Sequence, residues 1–115
     1  MLLDEPLQVD DEALFEMANV YPEDTGLPFV AWIPPKGRAR HDARVKVTRT
    51  DRATEFVASL SIRPEVLIVA GDLPAEEFDL ARRWIELNRE ALFDYWDGVT
   101  VQTKHVLAAL KSIGD

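Results

Sequence analysis

The chain has 115 residues with a formal net charge of −8, 47% hydrophobic and 30% charged residues, and no cysteine. These values fit one globular domain with its own core, and they exclude a disulfide framework, thiolate metal sites and a Cys nucleophile. The acidic start MLLDEPLQVDDEALFEM is unlike a signal peptide and no run nears the ~18 apolar residues of a membrane span, so a cytoplasmic protein without a membrane partner is expected.

Residues 1–9 carry Pro6 and no clear period, and read as an N-terminal arm preceding a single domain over 10–115. From Asp10 or Asp11, either a fitting N-cap, Leu14, Met17 and Ala18 recur at helical spacing and predict a short helix to about Asn19. Pro22 and Gly26 then punctuate a turn over 21–26.

Leu27 to Ile33, LPFVAWI, is rich in branched and aromatic residues and stops at Pro34-Pro35, as a strand would. A loop follows, and in ARVKVTR at 43–49 Val45 and Val47 alternate with Arg44, Lys46 and Thr48. That alternation predicts a strand with one apolar and one charged face. Thr50 to Ala53 offers a hairpin connection to TEFVASLS, in which Phe56, Ala58 and Leu60 are expected to face inward and Glu55, Val57 and Ser59 outward. EVLIVAG at 65–71 reads as a further strand covered on both faces.

Over 74–96 the period changes. Pro74 suits a first helical turn, acids follow it, and Phe78, Leu80, Ala81, Trp84, Ile85, Leu87, Ala91, Leu92, Tyr95 and Trp96 fall on one half of a helix. Asp79 with Arg83 is the expected exposed ion pair, and Phe93 falls on the polar side as a candidate contact residue. Gly98 ends this helix, and Val106, Leu107 and Leu110 mark a last short one from Thr103. The predicted fold is α+β: a small antiparallel meander of about four strands, packed by one long helix, with short helices near both termini.

The charge is unevenly spread along this chain. Residues 1–35 hold eight acids and no base, whereas residues 36–52 hold seven bases against Asp42 and Asp51. Lys36, Arg38, Arg40, Arg44, Lys46, Arg49 and Arg52 are therefore the candidate anion- or partner-binding residues, free for an outside ligand or neutralised by the protein's own acidic Asp10 to Glu16. Nucleic acid is the weaker partner class, because no aromatic is interleaved with these bases for stacking. It predicts a log–log salt slope of about −4 for about five phosphate contacts.

Enzymatic signals are sparse. His41-Asp42 is the one imidazole–carboxylate neighbour pair and could support a metal-assisted hydrolase or nuclease, but adjacent residues on an extended chain point apart. His105 falls opposite the apolar side of its helix, and no HxH, HExxH, GxSxG or phosphate-loop spacing occurs. The acids Glu76, Glu77 and Asp79 are explained by the helix dipole. No catalytic set, metal site or cofactor is expected, and a protein-interaction module, binding another protein or its own copy, is the leading reading.

A family likeness sharpens this. Leu73-Pro74, Trp84, Leu87-Asn88-Arg89-Glu90 and Trp96 resemble the closing helix, W-x-x-L-H-R-E-x-L-x-x-x-W after E-L-P, of a family of small bacterial proteins of unknown function. The genes of that family are frequent neighbours of toxin and antitoxin-like genes. RHDARVKV stands where the family opens its strands with Pro-Pro-His-x-His. The resemblance spans about residues 41–98 and implies an α+β fold and a role at a toxin and antitoxin-like locus. This chain keeps only His41 of the paired histidines and has Asn88 where the helix usually has His, so no histidine chemistry carries over.

Overall fold

The computed structural model describes residues 17–34, 36, 41–52, 56–99 and 102–114. The protein is α+β, and a five-stranded antiparallel sheet runs in simple chain order. Its strands are β1 (Ala18–Val20), β2 (Val30–Ile33), β3 (Arg44–Thr48), β4 (Phe56–Ser61) and β5 (Ile68–Gly71). Helix α1 (Pro22–Thr25) links β1 to β2, and α2 (Ala75–Leu87), α3 (Arg89–Trp96) and α4 (Thr103–Ala109) follow the sheet.

The alternation of Val45 and Val47 with Arg44 and Lys46 does what period two requires: both valines are buried and both cations are half-buried on the other face. Across the sheet, Val20, Ala31, Val47, Ala58 and Gly71 form one cross-strand row on the core face. Ala81, Trp84, Ile85, Leu92, Tyr95 and Trp96 from α2 and α3, with Val106 from α4, complete that core. Each fully buried Val, Leu or Ile in it contributes about 1.5–3 kcal/mol of transfer free energy.

Several expectations are corrected. The sheet has five strands because Ala18–Val20 pairs with β2, Ala18 opposite Ile33 and Val20 opposite Ala31. The helical spacing of Met17 and Ala18 loses to a sheet edge that offers partners, and residues 10–16 of that expected helix lie outside the described residues. The turn after it closes as one turn of helix, with Gly26 at φ 84° donating its N–H to the Pro22 carbonyl at 2.8 Å.

Phe56 does not face inward with Ala58. The β3–β4 register shifts between Val47 and Thr48, so that Val47 opposes Ala58 while Thr48 opposes Phe56. Val57 is the extra residue of this bulge; it packs against the core, and Phe56 turns to the opposite face. The strand over 65–71 is not covered on both faces either, because β5 is the last strand of the sheet and its Val69 and Ala70 are exposed.

The expected long helix is interrupted at Asn88, whose φ of −109° and ψ of 15° separate α2 from α3. The Asn88 side-chain amide donates to the Trp84 carbonyl at 2.9 Å and to the Lys111 carbonyl at 3.0 Å, while its Oδ1 accepts from the Lys111 N–H at 2.7 Å. This side chain draws the C-terminal segment onto the helix junction. Leu87, expected on the apolar arc, is exposed as a result of its place just before the interruption. Arg82, not Arg83, takes the ion pairs, with Asp79 at 2.5 Å and Glu86 at 3.1 Å.

Candidate functional site

The structure divides the five described residues of the seven basic ones among separate surroundings. Arg44 and Lys46 share the sheet face away from the helices, Lys46 directly opposite Trp32 on β2 and Ser59 on β4. Lys46 places its ammonium 5.2 Å from the Phe56 ring centroid, and burial, with the nearby Arg44 charge, pushes its pKa down. Arg49 makes a two-point ion pair with Glu77 of α2 at 2.7 and 3.0 Å, tying the end of β3 to the helix layer. Lys36 is exposed and its backbone N–H donates to the Trp96 carbonyl at 3.2 Å. Arg52 is exposed beyond β3, and Arg38 and Arg40 lie outside the described residues.

A second grouping gathers at the start of β3, the β4–β5 turn and the end of α3. The His41 ring stacks on Trp96 with centroids 6.0 Å apart and planes 24° apart. Arg63 clamps the Asp42 carboxylate through two hydrogen bonds of 2.6 and 2.9 Å, and its guanidinium lies 4.0 Å from the Phe93 centroid. Phe93 is thus half-buried beneath Arg63 and against the core, not a free contact residue. The Arg63 hydrogen bonds hold Asp42 down to about 2.

His41 Nδ1 lies 2.7 Å from the Asp42 carbonyl oxygen. A carbonyl only accepts, so Nδ1 carries the proton and neutral His41 presents Nε2 as its acceptor. Burial lowers the His41 pKa, outweighing the backbone hydrogen bond that raises it. Because the Asp42 carboxylate is spent on Arg63, the grouping is a positioned salt bridge beside an aromatic stack and not a His–Asp couple. Among the described residues no group of three His, Asp or Glu could hold a metal ion, and no helix is long and apolar enough to cross a membrane.

The third feature is the outer edge of β5, which pairs with no other strand among the described residues. Its inner side pairs with β4 through Ala58 and Gly71, Ser59 and Ala70, and Leu60 and Ile68. A register shift between Ser59 and Leu60 leaves Val69 as an extra residue that bends the strand. Leu67 and Val69 are 50% and 42% exposed beside this edge. Composition hides such a feature: a run rich in Val and Ile looks the same in a central strand as in an edge strand, and only the absence of a later strand in the sequence hints at the difference.

In comparison with known proteins, residues 47–97 match the profile of a domain of unknown function, DUF4160. The match runs from the end of β3 through the bulge, β4, β5 and both halves of the interrupted helix, inside the stretch that carried the family likeness, and covers just under half of the chain. No curated protein and no solved structure matches.

Proposed function

We propose that the protein is a small protein-interaction module, serving a toxin and antitoxin-like locus, that accepts an extended segment of a partner polypeptide along β5. One observation carries this reading: β5 ends the sheet with Leu67 and Val69 largely exposed beside an edge that no described strand pairs. An edge strand offers a row of backbone donors and acceptors to an added strand, and flanking apolar side chains select its sequence. The bulge at Val69 bends that edge, so a fitting partner must match the bend. The chemistry asked of the partner is a β-branched or aromatic strand with few charges.

The decisive experiment is co-expression with the product of the adjacent gene, followed by co-purification of the wild type and of Val69→Lys. Capture by the wild type and loss in the variant, with the circular dichroism of both unchanged, is the expected result. Equal capture by both proteins, or a monomer that retains nothing, overturns it; a homodimer in light scattering that Val69→Lys dissociates assigns the edge to a second copy. The basic residues support a nucleic-acid reading less well, because Trp32, the largest ring beside Arg44 and Lys46, is buried and cannot stack on a base.

A further inference from the structure

On the sheet face turned away from the helices, strand register sets Arg44 opposite Ser61 and Lys46 opposite Ser59. Directly opposed residues of an antiparallel pair share a face, with Cβ atoms about 5 Å apart, and Arg44 and Lys46 stand about 7 Å from each other along β3. Both cations are half-buried, and among the described residues neither has an ion-pair partner. Asp42, the acid nearest to Arg44 in sequence, is held by Arg63. The Ser61 hydroxyl is bonded to the backbone of Glu65 and Leu67. Ser59 is different: it is 8% exposed, and its hydroxyl is buried with no hydrogen-bond partner among the described residues. A buried hydroxyl beside two partly desolvated cations calls for an anionic acceptor.

We propose that Arg44, Lys46 and Ser59 form a binding site for a phosphate group, either free or as the monoester of a small molecule. Charge selects this ligand: a phosphate monoester carries about −1.5 to −2 at neutral pH and balances two cations, whereas a carboxylate leaves one of them uncompensated. Donor number agrees, since the guanidinium fork, the ammonium and the hydroxyl can each serve a different phosphate oxygen. Ala70, opposite Ser59 on β5, is small and exposed, so the approach to the hydroxyl lies on that side. The rings of this face are already engaged: Trp32 is buried and meets Phe56 edge to face at 6.1 Å, and Phe56 carries the Lys46 ammonium at 5.2 Å. No base can stack there, and a nucleotide gains nothing over its phosphate. The net charge of −8 opposes anions in general, which leaves binding to these three local groups. The site lies on the sheet face, and it stands or falls independently of partner capture at the β5 edge.

The test titrates the full-length protein with inorganic phosphate, glycerol phosphate and acetate at constant ionic strength, followed by amide chemical shifts and by thermal unfolding. We expect saturable, one-to-one shifts centred on Lys46 and Ser59 with either phosphate, and a rise in the unfolding midpoint that follows the same saturation. Ser59→Ala removes only an unsatisfied hydroxyl, so without phosphate it should be as stable as the wild type or more so, yet bind phosphate about tenfold more weakly. Lys46→Met should weaken binding by a similar factor or more. Tighter binding of glycerol phosphate assigns the site to a monoester, and tighter binding of inorganic phosphate assigns it to the free ion. Shifts that do not saturate, shifts centred on Lys36 or Arg52, acetate binding equal to that of phosphate, or an affinity unchanged by Ser59→Ala each overturn the proposal.

Discussion

Asn88 and Lys111, 23 residues apart, hold each other by two hydrogen bonds, one in each direction. The same amide also donates to the Trp84 carbonyl, so one buried side chain sets the break between α2 and α3 and fixes the C-terminal segment against it. The Ile113 N–H extends this docking by donating to the Thr25 carbonyl at 2.9 Å, which brings the end of the chain onto α1.

Replacing Asn88 by Ala leaves the Lys111 N–H and carbonyl without their partner and should cost about 1–3 kcal/mol in urea denaturation. Asn88→Asp keeps the acceptor for Lys111 N–H but turns a carboxylate oxygen toward two carbonyls, and should be at least as destabilising. Hydrogen exchange should show the loss concentrated at Lys111 to Ile113. A variant as stable as the wild type would show that the clamp contributes nothing.

The Trp32 indole N–H donates to the Thr48 hydroxyl at 2.8 Å, and that hydroxyl in turn donates to the Thr50 carbonyl. Thr48→Val preserves shape but strands a buried indole donor and the hydroxyl's place in the relay, at an expected cost of about 1–3 kcal/mol. Thr48→Ser should recover most of it. Equal stability of Val and Thr at this position would mean that the hydrogen bond is replaced by solvent.

Acid titration isolates the Asp42–Arg63 clamp. The folded pKa of Asp42, about 2, lies below its unfolded value of 3.8, so the unfolded chain takes up the proton first. The stabilisation is therefore complete above about pH 4 and is lost as pH falls through about 2. Both side chains are almost half exposed, so solvent screening keeps the pair's contribution small. The stability gap between wild type and Asp42→Asn, measured in urea at several pH values, should close over that window; a gap that persists at pH 2 would place its origin elsewhere.

Gly71 and Gly98 both adopt positive φ, at 74° and 81°, but differ in surroundings. A Cβ on Gly71 would stand 2.0 Å from the Val57 carbonyl oxygen at the bulge, whereas one on Gly98 would meet nothing within 4 Å. Gly98→Ala should cost about 1–2 kcal/mol for the left-handed backbone alone. Gly71→Ala adds a backbone clash of about 1–3 kcal/mol or more and should shift the unfolding midpoint further. Equal midpoints for the two variants would count against the close approach of β4 and β5.

Much of the fold was legible because it depends on local periodicity. Val45 and Val47, Trp84 and Trp96, and exposed His105 all lie where spacing alone puts them. Phe56 differs from expectation because a bulge inserts one residue without any mark in composition, which puts Phe56 on the face opposite to Ala58 and Leu60. Ala18 was misplaced because a three-residue strand has too short a pattern to outweigh a helical one.

By itself, the sequence determined the α+β class, the position of each principal apolar stripe and the concentration of bases over 36–52, since these follow from the order of side chains along one chain. Only the tertiary structure decided which bases share a surface, which strands end the sheet and what Asn88 holds. Lys46 meets Trp32 and Phe56, Arg49 meets Glu77, and Asp42 meets Arg63 through pairings between residues well separated in the chain. Such pairings are set by strand register and helix docking, where a shift of one residue reverses the face a side chain presents, and no local pattern of residues encodes that choice.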